Sequence, residues 1–171
     1  MNTENYSVSE EYKKQIRTII DELKSPARYV CEGKEKDFED NVVDNIDLIC
    51  NCLNLPPIKF IDRQHRIDCG EFDIQPDIMV RHTDDTMTVF EVKKASAKYP
   101  QTGTYNQMAA IGQLLLYKTV LKAKINAPVR LALIDNKIYY RTFLAFTEHK
   151  LPITLVELQK DRLFVPYNGW C

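Results

Sequence analysis

The sequence predicts an α/β domain in which helices flank a central mixed sheet of four to five strands. Apolar residues recur at helical spacing in three segments, and short runs rich in Val, Ile and Phe lie between and after them. These segments give the order α-β-β-β-α-β-β, with an extra N-terminal helix before it. At 171 residues the chain is long enough to bury a substantial core as one domain.

The three helical segments have recognisable boundaries. The first spans 7–24, with Ser9 as its N-cap and one apolar stripe. The second spans 34–53, where apolar residues again define one buried face. The third spans 105–124, and Thr104 before it is a plausible cap.

Strands are predicted on both sides of the third helix. The first spans 58–64 and leads through a polar bend into a central hairpin. A second hairpin is predicted from 129–134 and 138–143, and a last strand from 153–158. The aromatic tail, 164–171, receives no assignment.

The central hairpin carries three charged residues inside apolar runs. Its strands are 75–80 and 89–94, and the charged residues are Asp77, Glu91 and Lys93. A buried charge is costly unless it is paired or bound to a metal. The hairpin is therefore the candidate functional site.

The register of this hairpin decides whether the charges meet. With a three-residue loop at 83–85, the numbers of paired residues sum to 168, so Asp77 lies opposite Glu91. Lys93 follows two residues after Glu91 and shares its face of the sheet. A loop one residue longer or shorter would move Asp77 to the other face.

The helix at 34–53 holds six acids, which a helical projection divides into two groups. Four fall on the polar side: Asp37, Asp40, Asp44 and Asp47. Glu35 and Glu39 fall inside the apolar arc, and either could approach the hairpin. For each of them the ordinary alternative is a glutamate that merely suits the start of a helix.

Two facing carboxylates with a lysine beside them suit metal-assisted hydrolysis of a phosphodiester. Mg²⁺ takes oxygen ligands, often from one or two carboxylates, and shares its sphere with water and substrate phosphate. Asp77 and Glu91 would supply two oxygens and the Val92 carbonyl a third. Lys93 would orient or help to deprotonate the attacking water and offset charge at phosphorus.

The hairpin motif resembles that of the PD-(D/E)XK nuclease superfamily. Pro76-Asp77 is followed, after thirteen residues, by Glu91-Val92-Lys93. The acidic helix before it and the Gln113-x-x-x-Tyr117 helix after it are similar to the RecB-like branch. The whole pattern, over residues 35–143, is also similar to NucS-like and restriction-endonuclease-like members. The resemblance implies a restriction-endonuclease-like core.

The resemblance implies a Mg²⁺- or Mn²⁺-dependent nuclease that acts on DNA more readily than on RNA. The residues to which it gives catalytic roles are Asp77, Glu91, Lys93, Glu39 or Glu35, Gln113 and Tyr117. Metal would be bound by Asp77, Glu91, the Val92 carbonyl and one of the two helix glutamates. Gln113 and Tyr117 would position the lysine region or the substrate backbone.

On this interpretation residues 34–143 form the catalytic core of a single domain. Residues 1–33 supply the N-terminal helix and a connection, and 144–171 form a C-terminal extension. Small single-domain nucleases cut two strands by pairing subunits, so a homodimer is compatible with the resemblance, although no residue marks an interface.

Charge and hydropathy constrain the partners. The net charge is −1, but residues 1–50 carry −5 (12 acids, 7 bases) and residues 51–171 carry +4 (12 acids, 16 bases). The basic excess falls in the half that contains the hairpin, where it could serve a local phosphate-binding surface. No apolar run approaches 18 residues and no signal peptide is evident, so we expect a cytoplasmic protein without a membrane partner.

The spacing of the cysteines and histidines does not predict a separate metal site. The five cysteines, Cys31, Cys50, Cys52, Cys69 and Cys171, lack paired zinc spacing and are expected to be free, mostly buried thiols. An iron–sulfur cluster is the alternative. The three histidines are scattered and are expected at ordinary surface or strand positions.

Two hypotheses from other classes remain open at the level of sequence. One is a catalytically silent nuclease-like module that binds nucleic acid or a protein partner, since a fold does not fix a function. The other is an interaction protein whose charges form an internal ion-pair network.

Overall fold

The structure, a computed structural model, describes residues 9–25, 33–70, 72–96, 100–160 and 162–170. The helices are α1 (Glu10–Lys24), α2 (Glu35–Asp44), α3 (Ile46–Cys52), α4 (Pro100–Lys124) and α5 (Tyr140–His149). The strands are β1 (Ile58–Arg63), β2 (Ile67–Asp68), β3 (Asp73–Ile74), β4 (Ile78–His82), β5 (Met87–Lys93), β6 (Val129–Asp135), β7 (Thr154–Gln159) and β8 (Arg162–Tyr167).

Six strands form one mixed sheet in the order β1-β4-β5-β6-β7-β8, while β2 and β3 form a separate ribbon. The pairs β1–β4, β4–β5 and β7–β8 are antiparallel, and β5–β6 and β6–β7 are parallel. The predicted α/β class is confirmed, with a mixed sheet flanked by helices and an N-terminal helix. The sheet is larger than the four to five strands expected, because the unassigned tail supplies β8.

The predicted second hairpin is wrong in its second half. The segment predicted as strand 138–143 enters α5 instead, so the chain crosses from β6 through a helix to β7. The run of β-branched and aromatic residues there favours a strand by propensity alone. The buried residues of α5, however, are Thr142, Phe143 and Phe146, a helical spacing that packs on the sheet.

The central hairpin has the predicted register. Ile78 pairs with Phe90 and Met79 with Val89, so the paired numbers sum to 168. The loop is closed by the backbone N–H of His82, which donates to the Thr86 carbonyl at 2.9 Å. The last loop residue, Asp85, has φ +63°, the left-handed conformation that closes three-residue hairpin loops.

The two faces of the hairpin enter different layers of core. One face packs against α2 and α3; its residues are Ile78, Val80, Phe90 and Val92. The other face, with Met79 and Val89, packs against the inner side of α4. The hairpin is therefore covered on both sides, and a charged group such as Glu91 on its covered part is removed from water, while Arg81 near the loop is exposed.

The helix boundaries differ from prediction at two places. Ser9 caps α1 as expected, since its hydroxyl accepts from the Tyr12 backbone N–H at 3.2 Å. The helix predicted over 34–53 is interrupted at Asn45 and forms α2 and α3. Helix α4 begins at Pro100, so Thr104 lies inside it and is not its cap. Gly103 lies in the first turn of α4, where the Tyr139 ring occupies the space that a Cβ would need.

The cysteines are less buried than expected. Cys50 is a buried free thiol whose pKa burial raises to about 12, with a further contribution from Asp47. Cys52 is exposed and Cys69 half-buried, while Cys31 and Cys171 lie outside the described residues.

Among the described helices, none has the length and apolar content that crossing a bilayer requires.

His82 is a buried histidine of β4 whose ring contacts the segment before β1 on one side and β5 on the other. Its Nδ1 lies 2.8 Å from the Pro56 carbonyl and its Nε2 2.8 Å from the Thr88 hydroxyl. Burial lowers the pKa of His82, and the charge of Arg130 acts in the same direction against the opposing bond to Pro56. The imidazole is therefore neutral in the folded protein at neutral pH.

We predict that His82 makes the fold sensitive to acid. Because its pKa is lower in the folded than in the unfolded chain, its contribution to stability is present above about pH 6.5 and is lost as pH falls through the folded pKa. Urea unfolding of the wild type at pH 7.5, 6.5 and 5.5 should show this loss. A His82→Asn variant should be less stable at pH 7.5 by about 1–2 kcal/mol but lose less on acidification; equal losses would contradict the assignment.

Candidate active site

Asp77 is fixed at the start of β4 by a bond to the facing strand. Its Oδ2 accepts the Val92 backbone N–H at 2.7 Å. The register extends Asp77 to a position opposite Glu91, one step beyond the Ile78–Phe90 pair. The carboxylate and the strand that carries the other charges are therefore in direct contact, as the hairpin predicts.

The Val92 carbonyl faces the same edge. In an antiparallel ladder the N–H and C=O of one residue point to the same neighbouring strand. The Val92 N–H points to Asp77, so its carbonyl points there too. The residue that the register sets opposite Val92 is Pro76, which has no N–H to donate to that carbonyl. This oxygen is available to a ligand from that side.

Glu91 and Lys93 form a close pair on the face covered by α4. The Lys93 Nζ donates to Glu91 Oε1 at 2.7 Å, and Glu91 is almost completely buried. The other carboxylate oxygen, Oε2, is buried and accepts no well-formed hydrogen bond from the described residues, although the Tyr117 hydroxyl approaches the Glu91 carboxylate closely enough to contribute to the raised pKa of Tyr117. A buried oxygen left unpaired costs free energy, which a bound cation would recover.

The electrostatics of the three groups reflect this crowding. Burial raises the pKa of Glu91 to about 7, with the Asp77 charge acting in the same direction. Burial also raises the pKa of Asp77, although the Val92 N–H and Lys93 oppose the shift. For Lys93 burial favours the neutral amine, but Glu91 and Asp77 outweigh it and the pKa of Lys93 rises. The site therefore combines two carboxylates whose pKa values are raised with a lysine whose charged form is favoured.

The structure separates the two glutamates of α2. Glu39 is buried and held by two partners, Arg63 Nη2 at 2.9 Å and Gln64 Nε2 at 3.0 Å. Glu35 is exposed at the start of α2. Both glutamates raise the pKa of Asp77, Glu39 more than Glu35, and the charge of Glu35 also acts on the pKa of Glu91 and of Lys93. The difference between the two is that protein groups occupy both carboxylate oxygens of Glu39, while Glu35 is exposed.

A groove of about 700 Å³ runs from Asp77 along α2 and the end of β1. The residues that line it are Glu35, Lys36, Glu39, Asp40, Arg63, Gln64 and Asp77. Arg63 also binds Asp40 at 2.6 Å, so its guanidinium is engaged by two acids of α2. The groove gives the candidate site an open approach from the α2 side.

Helix α4 brings Gln113 and Tyr117 to the same place. The buried Tyr117 hydroxyl lies 3.4 Å from both the Gln113 Nε2 and the Gln75 carbonyl, two residues before Asp77. Burial raises the pKa of Tyr117, and the charges of Glu91 and Asp77 add to the shift. The Gln-x-x-x-Tyr pair thus borders the two carboxylates, with a neutral phenol facing them.

A buried polar network behind Lys93 escaped the sequence analysis. Asp135, paired with Lys93 in the sheet, accepts from the Ala95 N–H at 3.0 Å and from Gln107 Nε2 at 2.7 Å. Asn136 Oδ1 also accepts from the Ala95 N–H, at 2.7 Å. The signal was a continuous apolar run ending in Asp, which is typical of a buried parallel strand rather than a hairpin. The network fixes the chain where it leaves β5.

The donor set fits a divalent cation. Within the described ranges no three His, Cys, Asp or Glu side chains gather closely enough to hold a metal ion by themselves. Mg²⁺, however, commonly uses one or two carboxylates and completes its sphere with water and phosphate. Asp77, the unpartnered Glu91 Oε2 and the Val92 carbonyl meet that smaller requirement.

Comparison with known proteins gives remote structural neighbours. No protein-family model matches the chain, and no curated protein matches it. A repair endonuclease from Pyrococcus abyssi is 19% identical, with 77% of this chain and 49% of that chain covered and a TM-score of 0.48. A complex of EndoMS with double-stranded DNA is 17% identical, with 80% and 50% covered and a TM-score of 0.48.

A third neighbour is the small subunit of the heterodimeric restriction endonuclease R.BspD6I. It is 14% identical, with 85% of this chain and 71% of that chain covered and a TM-score of 0.41. The chain spans about half the length of the first two neighbours. The structural neighbours thus include a repair endonuclease, an EndoMS–DNA complex and a restriction endonuclease subunit.

We predict that Asp135 stabilises the exit of β5. Asp135→Ala would remove one of the two acceptors of the Ala95 N–H and of the Gln107 amide, as well as the acceptor of the Lys137 N–H, in a buried place, so the free energy of unfolding should fall by about 2–4 kcal/mol. Urea denaturation measures the change. The exposed Asp68, which accepts one bond from the Gly70 N–H, is the matched control, and Asp68→Ala should cost under about 1 kcal/mol. Equal effects would contradict the role of the network.

Proposed function

We propose that this protein is a Mg²⁺- or Mn²⁺-dependent nuclease that hydrolyses phosphodiester bonds, in DNA rather than RNA. The observation that carries the proposal is the convergence of Asp77, Glu91 and Lys93, with one buried carboxylate oxygen that accepts no well-formed hydrogen bond within the described part of the chain. Three charged groups on a largely buried face are expensive to keep for packing alone. A silent module would have no use for the unpaired oxygen.

The protein's contribution is to hold oxygens and charge in place. Asp77, Glu91 and the Val92 carbonyl would hold the metal, with Glu35 reaching it directly or through water. The bound ion would act as a Lewis acid and lower the pKa of a coordinated water. Water attack forms a bond from its oxygen to phosphorus and breaks the bond to the 3′ oxygen, leaving a 3′-hydroxyl and a 5′-phosphate.

Lys93 would act on the attacking water and on the phosphate. It would orient the water or help to deprotonate it, and it would offset negative charge on the phosphate. The charges of Glu91 and Asp77 raise the pKa of Lys93, and a cation held by the same carboxylates would offset those charges, so both roles of Lys93 toward the water are retained. Gln113 and Tyr117 position the Asp77 end of the site, since Tyr117 contacts the Gln75 carbonyl.

Glu39 receives a different role from Glu35. Because Arg63 and Gln64 occupy both of its carboxylate oxygens, Glu39 anchors α2 to β1. That contact sets the position of Glu35 one turn earlier on the same helix. The groove along these residues would admit the substrate strand to the carboxylates.

Lys93→Ala should abolish cleavage while the fold persists. We expect the wild type to cut at least one of supercoiled, linear, single-stranded or branched DNA, or RNA, with Mg²⁺ or Mn²⁺, and Lys93→Ala to be about 10²- to 10⁴-fold slower. Lys59, bound to Asp85 at the opposite end of the hairpin, supplies the control Lys59→Ala, which should cut at the wild-type rate. A wild type that cuts nothing, or equal rates for wild type and Lys93→Ala, would refute the proposal.

Metal binding provides a second test, which needs no substrate. Calorimetric titration with Mn²⁺ should show uptake that Asp77→Asn or Glu91→Gln weakens by at least about tenfold. Glu35→Gln should weaken it less than either, and Glu39→Gln should act mainly on thermal stability, because its partners are protein groups. Asp85→Asn, at the far loop, is the control and should bind as the wild type does. No uptake by the wild type would favour the silent module.

A further inference from the structure

Helix α4 has an outer face that neither the core nor the candidate site uses. Its inner residues, among them Ala110 and Leu114, are fully buried, and Tyr117 borders the carboxylates. Thr102, Asn106, Lys122 and Lys124 are exposed as well, but eight of the exposed residues form a second stripe along the helix: Tyr105, Met108, Ala109, Gly112, Leu115, Leu116, Thr119 and Ala123. We call this set the α4 outer stripe. It is apolar or small over about five turns.

The composition of the helix makes this exposure unusual. A helix that is apolar all round is normally buried on every side. Residues 102–117 contain no Asp, Glu, Lys or Arg. Glycine and alanine at 112 and 109 would be expected to let the helix approach the sheet, but both lie on the exposed side. A Cβ at Gly112 would meet nothing within 4 Å, so the fold of one copy does not require glycine there.

We propose that the α4 outer stripe pairs with the same stripe of a second copy of this chain. The two helices would run antiparallel about a two-fold axis at Gly112. In that arrangement residue i faces the partner's residue 224 − i, so Met108 faces Leu116, Ala109 faces Leu115 and Tyr105 faces Thr119. Each larger side chain meets a smaller or complementary one, and the missing side chain at the axis lets the helices cross closely.

Charge and area both favour a second copy as the occupant. An isologous interface brings a surface against itself, so a stripe without charge meets no repulsion. Exposed fractions of 75% for Tyr105, 59% for Met108, 39% for Leu115 and 42% for Leu116 amount to roughly 400 Å² of side chain per copy. Two copies would therefore bury roughly 800 Å² from these four side chains, an area that suits a weak, concentration-dependent dimer rather than a permanent one.

Two further observations fit this occupant. The Thr119 hydroxyl donates to the Leu115 carbonyl at 2.9 Å within its own helix, so it needs no partner across the interface. Nucleic acid suits most of the stripe poorly, because residues 102–117 offer no cation to a phosphate and the lysines of α4, Lys118, Lys122 and Lys124, lie in its last two turns. The proposal does not rest on nuclease activity, since the stripe lies on the side of α4 away from the candidate site.

Sedimentation velocity of the full chain tests the pairing. We expect the wild type to shift from monomer to dimer between about 1 and 100 μM, as suits an interface of this size. Leu116→Glu or Met108→Lys should raise the dimer dissociation constant about 100-fold or more, because each buries an unpaired charge. Leu48→Glu and Phe60→Glu, at exposed apolar positions on other elements, are the matched controls and should associate like the wild type.

The antiparallel register has its own test. The double variant Met108→Lys with Leu116→Glu should regain association, because each introduced lysine faces the partner's introduced glutamate. Gly112→Leu should weaken the dimer while thermal unfolding at low concentration shows an intact or more stable monomer. A wild type that stays monomeric at about 100 μM, or single variants that associate like the wild type, would overturn the proposal. Loss of association in the single variants without regain in the double variant would overturn the register.

Discussion

The bond from the Val92 N–H to the Asp77 carboxylate is the contact on which the candidate site depends. It closes the β4–β5 pair where the regular ladder has ended, since β4 begins only at Ile78. A side chain thereby replaces the backbone acceptor that a longer strand would have provided. The same proline that ends the ladder, Pro76, has no N–H to donate to the Val92 carbonyl. One irregularity in the sheet thus creates both an anchored carboxylate and a carbonyl that receives no ladder bond from the facing residue.

The layers around the hairpin set the charge state of the site. Because α4 covers Glu91 and removes it from water, the pKa of Glu91 is raised. Lys93 on the same strand offsets part of the free-energy cost of burying the Glu91 charge. The exposed start of α2 supplies a further acid, Glu35, from the open side of the groove. The site is therefore closed toward α4 and open toward α2, which gives a substrate one direction of approach.

Sequence reasoning recovered the parts of the fold that local patterns determine. The hairpin register followed from alternation and loop length, and it was right because both faces of the hairpin are buried, so a slipped register would expose a whole apolar set. The strand predicted at 138–143 failed because its aromatic residues satisfy both a strand and a helix pattern. Only the sheet beneath α5 distinguishes them.

The sequence predicted which residues belong to the candidate site better than it predicted the contacts between them. The positions of Asp77, Glu91 and Lys93 follow from strand alternation, while the choice between Glu35 and Glu39 depends on β1, which is distant in sequence. Arg63 and Gln64 engage Glu39, and no pattern within α2 reports that. The Asp135 network was hidden for the same reason, since its donors lie about 30 to 40 residues away.

The packing of α4 over the hairpin also has a consequence for the order in which the site can be assembled during folding. Asp77 and Glu91 are joined by a local hairpin, but Tyr117 reaches them only when α4 has docked, and β6 must pair with β5 before Asp135 can hold the chain behind Lys93. Contacts of high sequence separation form late because their loops must close first. In a partly folded chain, Asp77 and Glu91 would therefore face each other in water, with the pKa values of ordinary carboxylates. Their raised pKa values and the burial of Lys93 beside them would arise only once α4 has docked and the sheet is complete.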